Sequence, residues 1–94
     1  MIINFKCKET EKVFKGEHSK KFSPDVAKTG KRKLDMLHAS YKEQDLRVPP
    51  ANRFEKLQGD LKGFYSIRIN DQFRLIFQFR DGNAYNAYID DYHK

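Results

Sequence analysis

Three closely spaced segments near the C-terminal end of the sequence constrain the fold more than any other feature. Residues 65–69, 73–79 and 84–89 are rich in aromatic and β-branched side chains, and short polar turns separate them. This pattern predicts an antiparallel meander of three strands. A shorter apolar run at Ile2–Phe5 predicts another strand, which would pair with a distant partner.

The register of the first hairpin follows from pairing apolar residues with apolar residues, because paired residues share one face of a sheet. A three-residue loop achieves this by pairing Ile67 with Leu75, and it places Arg68 directly opposite Arg74. Facing like charges are destabilising unless an anion lies over them, and guanidinium groups match phosphate oxygens. The pair therefore predicts a phosphate site. Arginines that extend into solvent or pair with nearby acids are the alternative.

The second hairpin has a strong two-residue turn signal at Asp81–Gly82. With strict alternation along both strands, this turn pairs Arg74 with Ile89 and brings Asp91 and His93 to the arginine face. A bulge in either hairpin would change this register. The set predicted at one end of the sheet is Arg68, Arg74, Asp91 and His93, with Tyr92 beside it.

Two helices are expected between the first strand and the meander. The first covers residues 10–15 and stops at Gly16, and the second starts at Ser23–Pro24, with serine as N-cap and proline at the first helical position. The residues of the second helix that recur at three- and four-residue spacing and should face the core are Val26, Ala27, Gly30, Leu34, Leu37 and Tyr41. The opposite side, expected to be solvated, carries Lys28, Lys31, Arg32, Lys33 and Asp35. Residues 46–52, which include two consecutive prolines, should form an extended connector.

The length of 94 residues supports a single domain, residues 1–94, because a second core would leave each half too little apolar surface. The net charge of +6 favours polyanionic partners such as RNA or DNA, although lysines that serve only solubility give the same charge. Cys7 is the single cysteine, and the three histidines are far apart, so neither a disulfide nor a metal site is expected. No run is apolar and long enough for a signal peptide or a membrane span, so a cytoplasmic location without membrane contact is expected.

The predicted site contains the groups needed to cleave RNA through the substrate's own 2′-hydroxyl. This reaction needs a base, an acid at the 5′-oxygen and positive charge on the phosphorane oxygens, without a metal or cofactor. Arg74, assisted by Arg68, would supply the charge. His93 is the candidate acid or base, because histidine side chains ordinarily have a pKa near neutrality. Asp91 could orient His93 or act as a base, and Tyr92 could donate to the phosphate or stack on a base. Replacing Arg74 by alanine should lower cleavage and leave thermal stability nearly unchanged.

Several motifs in the second half of the sequence together resemble the HigB toxins. They are Asn52-Arg53-Phe54-Glu55, Leu57-Gln58-Gly59-Asp60, the run from Tyr65 to Arg74, and the terminal Asp91-Tyr92-His93. The resemblance implies an α+β, RelE-like fold with N-terminal helices packed on one face of an antiparallel sheet. It also implies a ribosome-dependent mRNA endonuclease that a HigA-type antitoxin holds inactive, with operator DNA bound only through the antitoxin complex.

The resemblance also assigns roles to individual residues. The positions that match the family's functional residues are Arg74, Asp91, Tyr92 and His93. Some relatives have a histidine and a lysine before Gly-Asp, where this sequence has Glu55 and Gln58, so Glu55 is a candidate replacement base. RNA contacts are expected from Arg53, Lys56, Gln58 and Arg68. The alternative function is a non-catalytic basic module that binds RNA or operator DNA together with its antitoxin.

Overall fold

Two α-helices pack on one face of a four-stranded antiparallel sheet in the computed structural model, which describes residues 1–91. The helices are α1 (Lys8–Phe14) and α2 (Pro24–Ala39). The strands are β1 (Glu55–Lys56), β2 (Tyr65–Arg68), β3 (Phe73–Arg80) and β4 (Asn83–Asp91), and they lie side by side in chain order. Within the same range, short 3₁₀ segments lie at Glu43–Arg47, Pro50–Asn52 and Gly59–Leu61. The predicted α+β architecture is confirmed.

The helix ends have local causes in the sequence. Gly16 follows α1 with a φ of 77°, a left-handed conformation that glycine adopts at little cost. The Ser23 hydroxyl accepts a hydrogen bond from the Val26 amide at 3.3 Å and caps α2, as predicted. At the other end of α2, the Ser40 hydroxyl donates to the Met36 carbonyl at 2.7 Å, and the backbone becomes extended.

The inner face of α2 supplies a central part of the core. Its fully or nearly buried apolar positions include Val26, Gly30, Leu34 and Leu37, as predicted. Tyr41 lies beyond the end of the helix and is 78% exposed, so its predicted core position is wrong. The solvated position predicted for Lys33 is also wrong, because the side chain is 9% exposed. The turn of the helix directs Lys33 against the Pro50–Asn52 segment, where its Nζ donates to Asn52 Oδ1.

The first hairpin has the predicted register. Ile67 pairs with Leu75, and Arg68 pairs with Arg74. The sequence did not predict β1, a two-residue strand that extends the meander by pairing Glu55 with Ser66. This short strand matters because it brings a carboxylate to the edge of the sheet beside the arginines.

The second hairpin follows the predicted register only near its turn. Arg80 pairs with Asn83 and Gln78 with Tyr85, but the alignment then shifts by one residue, and Arg74 pairs with Asp90. The predicted pairing of Arg74 with Ile89 is therefore wrong. The physical reason is that Ala84, Ala87 and Ile89 all enter the core, and the three-residue step from Ala84 to Ala87 requires an extra residue. Asn86 supplies it in a left-handed conformation, with a φ of 55°.

The N-terminal segment lies beside β4. Ile2 and Phe5 form isolated parallel bridges to Ala84 and Ala87, so the predicted distant pairing of this segment is confirmed. Residues 46–52 are not a simple extended connector, because Leu46 and Pro50–Asn52 lie in 3₁₀ turns. Nowhere in residues 1–91 does a helix have the length and apolar content needed to cross a membrane.

Candidate active site

The sheet has an outward face, opposite the helices, that carries the two predicted arginines Arg68 and Arg74. Residues on this face alternate with core residues along β2, β3 and β4. The outward face consists of Glu55, Ser66, Arg68, Arg74, Ile76, Gln78, Arg80, Asn83, Tyr85, Tyr88 and Asp90.

Arg74 is a nearly buried arginine on the outward face. Its side chain is 8% exposed and is held on three sides. Nε donates to the Ser66 hydroxyl at 2.9 Å, and Nη2 donates to the Arg53 carbonyl at 2.6 Å. A Glu55 carboxylate oxygen lies 3.9 Å from the same Nη2. Because a buried guanidinium is retained only where hydrogen bonds and charge compensate its lost hydration, this position is built for a fixed positive charge.

The Arg53 carbonyl, which accepts a hydrogen bond from Arg74, is positioned by a second buried side chain, that of Asn52. Arg53 adopts a left-handed conformation, with a φ of 47°, directly after Asn52. Asn52 is fully buried, and its Nδ2 donates to the Leu46 and Val48 carbonyls at 3.2 Å each. Its Oδ1 accepts from Lys33, whose pKa is lowered by burial and then by the charges of Arg32 and Arg68. This network fixes the loop that orients Arg74.

The two facing arginines of the first hairpin both have acidic neighbours. Arg68 Nη2 forms an ion pair and hydrogen bond with Asp71 in the turn, whereas Arg74 has Glu55. Pairing with nearby acids was the alternative to a bound anion, and the structure supports that pairing. Arg68 remains more accessible than Arg74, since its side chain is 32% exposed.

The bulge in β4 decides which acid faces Arg74. Asp90 is the Cα partner of Arg74, whereas Asp91 is the partner of Phe73 and therefore shares the helix-side face. A Gln72 side-chain amide donates to Asp91 at 3.0 Å. The structure does not bring Asp91 to the arginine face as the sequence predicted. Its two predicted neighbours in the site, Tyr92 and His93, lie outside the described residues.

The remaining predicted residues lie along the β1 edge of the sheet. Arg53, Glu55, Lys56 and Gln58 are all exposed. Lys56 and Gln58 line an open cleft of about 200 Å³ together with Lys62 and Tyr65. Among these four residues, Glu55 places a carboxylate oxygen 3.9 Å from Arg74 Nη2. The other three lie where they could contact a longer polyanion.

Ser66, Tyr88 and Asp90 lie near Arg74 on the outward face, and the sequence did not predict them as part of the site. Ser66 holds Arg74, Asp90 faces it, and Tyr88 lies one row further along, opposite Ile76. Partial burial, and then the charge of Asp90, raises the pKa of Tyr88. The three-residue spacing of Ala84 and Ala87 was the available signal, because it implies a bulge that turns Tyr88 and Asp90 outward.

The described part of the chain contains no group of three or more histidine, cysteine, aspartate or glutamate side chains placed to hold a metal ion. The arrangement around Arg74 instead offers fixed positive charge with a half-exposed carboxylate at its side. Such a pair can bind a phosphodiester through the guanidinium and accept a proton through the carboxylate.

Comparison with known proteins relates the chain to a group of toxins. The family described as "RelE-like toxin of type II toxin-antitoxin system HigB" matches residues 3–93. Toxin HigB-1 from Vibrio cholerae serotype O1 is 46% identical over 91 residues, which cover 96% of this chain and 96% of that protein. Endoribonuclease HigB from Proteus vulgaris is 39% identical over 41 residues, or 44% of this chain and 45% of that protein.

Two solved structures of bacterial proteins have the same fold. YafQ from E. coli strain BL21(DE3) aligns with a TM-score of 0.66 at 15% identity, covering 98% of this chain and 92% of YafQ. A chain of the YoeB–YefM complex from Staphylococcus aureus aligns with a TM-score of 0.59 at 21% identity, covering 100% of this chain and 97% of that one. At these identities the likeness establishes the fold alone.

Proposed function

This chain belongs to the HigB-like family of RelE-like toxins in type II toxin–antitoxin systems, and from that premise we propose that it is a ribosome-dependent mRNA endonuclease. The family implies an antitoxin partner, and we propose that this partner is of the HigA type. Operator DNA would be bound only through the complex with the antitoxin. The proposed location is the cytoplasm, where ribosomes and mRNA are found.

The observation that carries the proposal is the fixed charge of Arg74. Its guanidinium is oriented by Ser66 and the Arg53 carbonyl, with a carboxylate 3.9 Å away. Charge stabilisers accelerate a reaction most when they are already in place, because no reorganisation is then required as the transition state forms. A phosphorane, which gains negative charge at its oxygens, is the species that such a group stabilises.

The proposed reaction uses the 2′-hydroxyl of the substrate as nucleophile, so it requires no metal-bound hydroxide. A base removes the 2′-proton, the 2′-oxygen bonds to phosphorus, and the bond from phosphorus to the 5′-oxygen breaks. An acid then protonates the departing 5′-oxygen, leaving a 2′,3′-cyclic phosphate. Arg74 stabilises the phosphorane, and Arg68 contacts the same phosphate from its more exposed position.

Glu55 is the proposed general base, because its carboxylate lies beside Arg74 and is 51% exposed to an incoming substrate. Asp90 faces Arg74 from the other side and is the competing carboxylate. His93 is the proposed acid, with Tyr92 assisting. Arg53, Lys56 and Gln58 are proposed to bind the RNA strand along the β1 edge.

The deciding experiment maps transcript ends after brief induction of the toxin in growing cells, with Glu55→Gln, Asp90→Asn and a chain ending at residue 91 tested in parallel. New ends inside coding regions are expected for the intact chain. Glu55→Gln should slow single-turnover cleavage on purified ribosomes by roughly a hundredfold, as the loss of a general base does, and Asp90→Asn should slow it much less.

The shortened chain tests the terminal residues. It should fold and co-sediment with ribosomes but produce few new ends. Absence of new ends for the intact chain, together with intact ribosome binding, would support the non-catalytic alternative. Full cleavage by the shortened chain would remove Tyr92 and His93 from the site.

A further inference from the structure

We propose that Tyr85 and Tyr88 form a stacking platform for two unpaired bases of the RNA strand that crosses the outward face. The inference rests on the proposed function, since the strand is the one whose phosphate is held at Arg74. It goes further by naming the chemistry that would bind the flanking nucleotides. Both rings are partly exposed and lie on the same face as Arg74.

The bulge at Asn86 is what places both tyrosines on one face. Tyr85 pairs with Gln78, and Tyr88 pairs with Ile76, although the two tyrosines are three residues apart. In a regular strand, residues three apart point to opposite faces. Without the extra residue at Asn86, one of the two tyrosines would point inward. With this residue, both point outward. Bulges commonly re-aim side chains in this way beside functional sites.

A polar network holds the bulge in place. Asn4 Oδ1 accepts from the Asn86 amide at 2.9 Å, and Asn4 Nδ2 donates to Asn86 Oδ1 at 2.8 Å. Asn86 Nδ2 then donates to Gln78 Oε1 at 2.7 Å. These bonds tie the N-terminal segment, β3 and β4 together at the bulge. The direction of the two rings is consequently fixed by the fold before any ligand binds.

A basic side chain lies over the ring of each tyrosine. The Arg80 guanidinium carbon lies 4.1 Å from the centroid of the Tyr85 ring, and the Lys6 Nζ lies 4.7 Å from the centroid of the Tyr88 ring. A planar guanidinium on an aromatic ring is itself a surface on which a base can stack. An ammonium group above a ring can move to the backbone phosphate that accompanies a stacked base. The rings and cations thus match both parts of a nucleotide.

The spacing of the rows favours single-stranded RNA. Successive outward rows of an antiparallel strand lie about 7 Å apart, since each residue rises about 3.4 Å. Tyr88 is therefore one row, and Tyr85 two rows, from the row that contains Arg74. Stacked bases in a duplex are separated by only about 3.4 Å. Bases bound to the two rings would thus be separated from each other, as in the recognition of unpaired RNA.

The test is a binding titration with a labelled single-stranded oligonucleotide that carries 2′-O-methyl groups throughout, so that it lacks the attacking hydroxyl and stays intact. Tyr85→Ala and Tyr88→Ala should each weaken binding by about tenfold, a size typical of losing one stacked base. Tyr85→Phe and Tyr88→Phe should bind within about twofold of the unsubstituted protein, because the ring face is retained. Tyr41→Ala is the matched control, since Tyr41 is an exposed tyrosine that belongs to none of the strands.

Several results would overturn the platform. These are alanine variants that keep their melting temperature and still bind normally, phenylalanine variants as weak as the alanine variants, and no detectable binding of the probe by the unsubstituted protein. An equal loss with a blunt RNA duplex would also contradict it. Failure of the proposed function has a different signature, because binding of the uncut probe would then depend on the tyrosines while induced cells showed no new transcript ends.

Discussion

At the scale of single residues, the site depends on how one buried charge is held. Arg74 is retained in a nearly dry position by a hydroxyl, a backbone carbonyl and a neighbouring carboxylate. Each partner removes part of the cost of taking a guanidinium out of water. The same contacts that orient the group for a phosphate therefore also make it part of the folded structure.

Arg74→Ala is expected to lower both stability and activity. The burial of Arg74 argues against the expectation from the sequence that its removal leaves stability unchanged. Loss of the guanidinium leaves the Ser66 hydroxyl and the Arg53 carbonyl without this donor, at a cost of about 1–3 kcal/mol. Urea unfolding should detect this loss, and single-turnover cleavage should fall by roughly a hundredfold or more.

Arg74→Lys separates the two effects. The lysine keeps the charge but cannot reproduce the planar fork, so stability should lie between that of the alanine variant and that of the unsubstituted protein. Cleavage should remain strongly impaired. Normal cleavage by the lysine variant would show that fixed bidentate geometry is not what Arg74 supplies.

Lys33 provides a residue-scale prediction for the dependence of stability on pH. The pKa of Lys33 in the folded state lies below 10.5, the value of an ordinary lysine in the unfolded chain. At pH values between the folded-state pKa and 10.5, the unfolded state therefore binds more protons than the folded state. Stability from this group therefore rises with pH across that window, and the penalty for burying the charge is greatest below it. The unfolding free energy of the unsubstituted protein, relative to that of Lys33→Met, should increase as pH approaches 10.5.

Urea unfolding of both proteins over this pH range measures the effect. Lys31→Met is the matched control, because Lys31 is a half-exposed lysine on the same helix, paired with Asp35. A free-energy difference that is constant with pH for Lys33→Met would show that burial of Lys33 does not disfavour its charged form.

At the scale of elements, β4 and α2 fix each other's position. The bulge lets Ala84 and Ala87 both enter the core, and Gly30 of α2 packs over the side chain of Ile89 in the same strand. A Cβ at Gly30 would lie 3.1 Å from Ile89 Cδ1 and 3.6 Å from Val13 Cγ1. The helix therefore approaches the strand at a point where the sequence provides no side chain.

Substitutions at Asn86 should distinguish the conformation of the bulge from its hydrogen bonds. Asn86→Gly keeps a residue suited to a φ of 55° and loses only the side-chain bonds, so a change of about 1 kcal/mol is expected. Asn86→Val adds the strain of a β-branched residue in the left-handed region, about 1–3 kcal/mol more. Asn83→Val, in the same strand, is the control. Equal stability of Asn86→Gly and Asn86→Val in urea would contradict this conformation.

Gly30 tests the packing of α2 on the sheet. Gly30→Ala should change stability little, because better helix propensity, worth about 1 kcal/mol, opposes the close approach to the movable end of Ile89. Gly30→Leu should destabilise the protein by about 1–3 kcal/mol through overpacking. Lys28→Leu, on the exposed side of the same helix, serves as control. A stable Gly30→Leu variant in thermal unfolding would place the helix further from β4.

At the scale of the whole molecule, the net charge of +6 suits a protein that is proposed to act on two polyanions, the ribosome and mRNA. Charge of this kind speeds encounter without choosing a cleavage position. The outward face instead combines the fixed charge of Arg74 with aromatic rings, and this combination would determine how an RNA strand is positioned. Ribosome binding and RNA cleavage should therefore respond differently to salt.

Ribosome co-sedimentation is expected to weaken by tenfold or more between about 50 and 200 mM salt, because bound cations are released when lysine and arginine contact phosphates. Arg74→Lys should show the same salt dependence as the unsubstituted protein, since it keeps the charge. Its cleavage should be impaired at every salt concentration. Salt-independent co-sedimentation would show that charge does not drive the association.

The sequence by itself determined the features that depend on neighbours along the chain. Turn residues and apolar alternation specify a hairpin locally, so the register of Arg68 and Arg74 could be predicted, as could the Ser23 cap. The resemblance of the motifs also indicated the family correctly.

Only the tertiary structure decided which groups surround Arg74. The bulge at Asn86 arises because residues of β4 must pack against the helices, and strict alternation of inward and outward residues does not predict this requirement. The bulge places Asp90, instead of Asp91, on the arginine face. Lys33 is buried because residues far along the chain fold over it. Sequence patterns show local periodicity. The contacts of a site, in contrast, form between segments that are far apart in the chain, and local periodicity does not predict which segments meet.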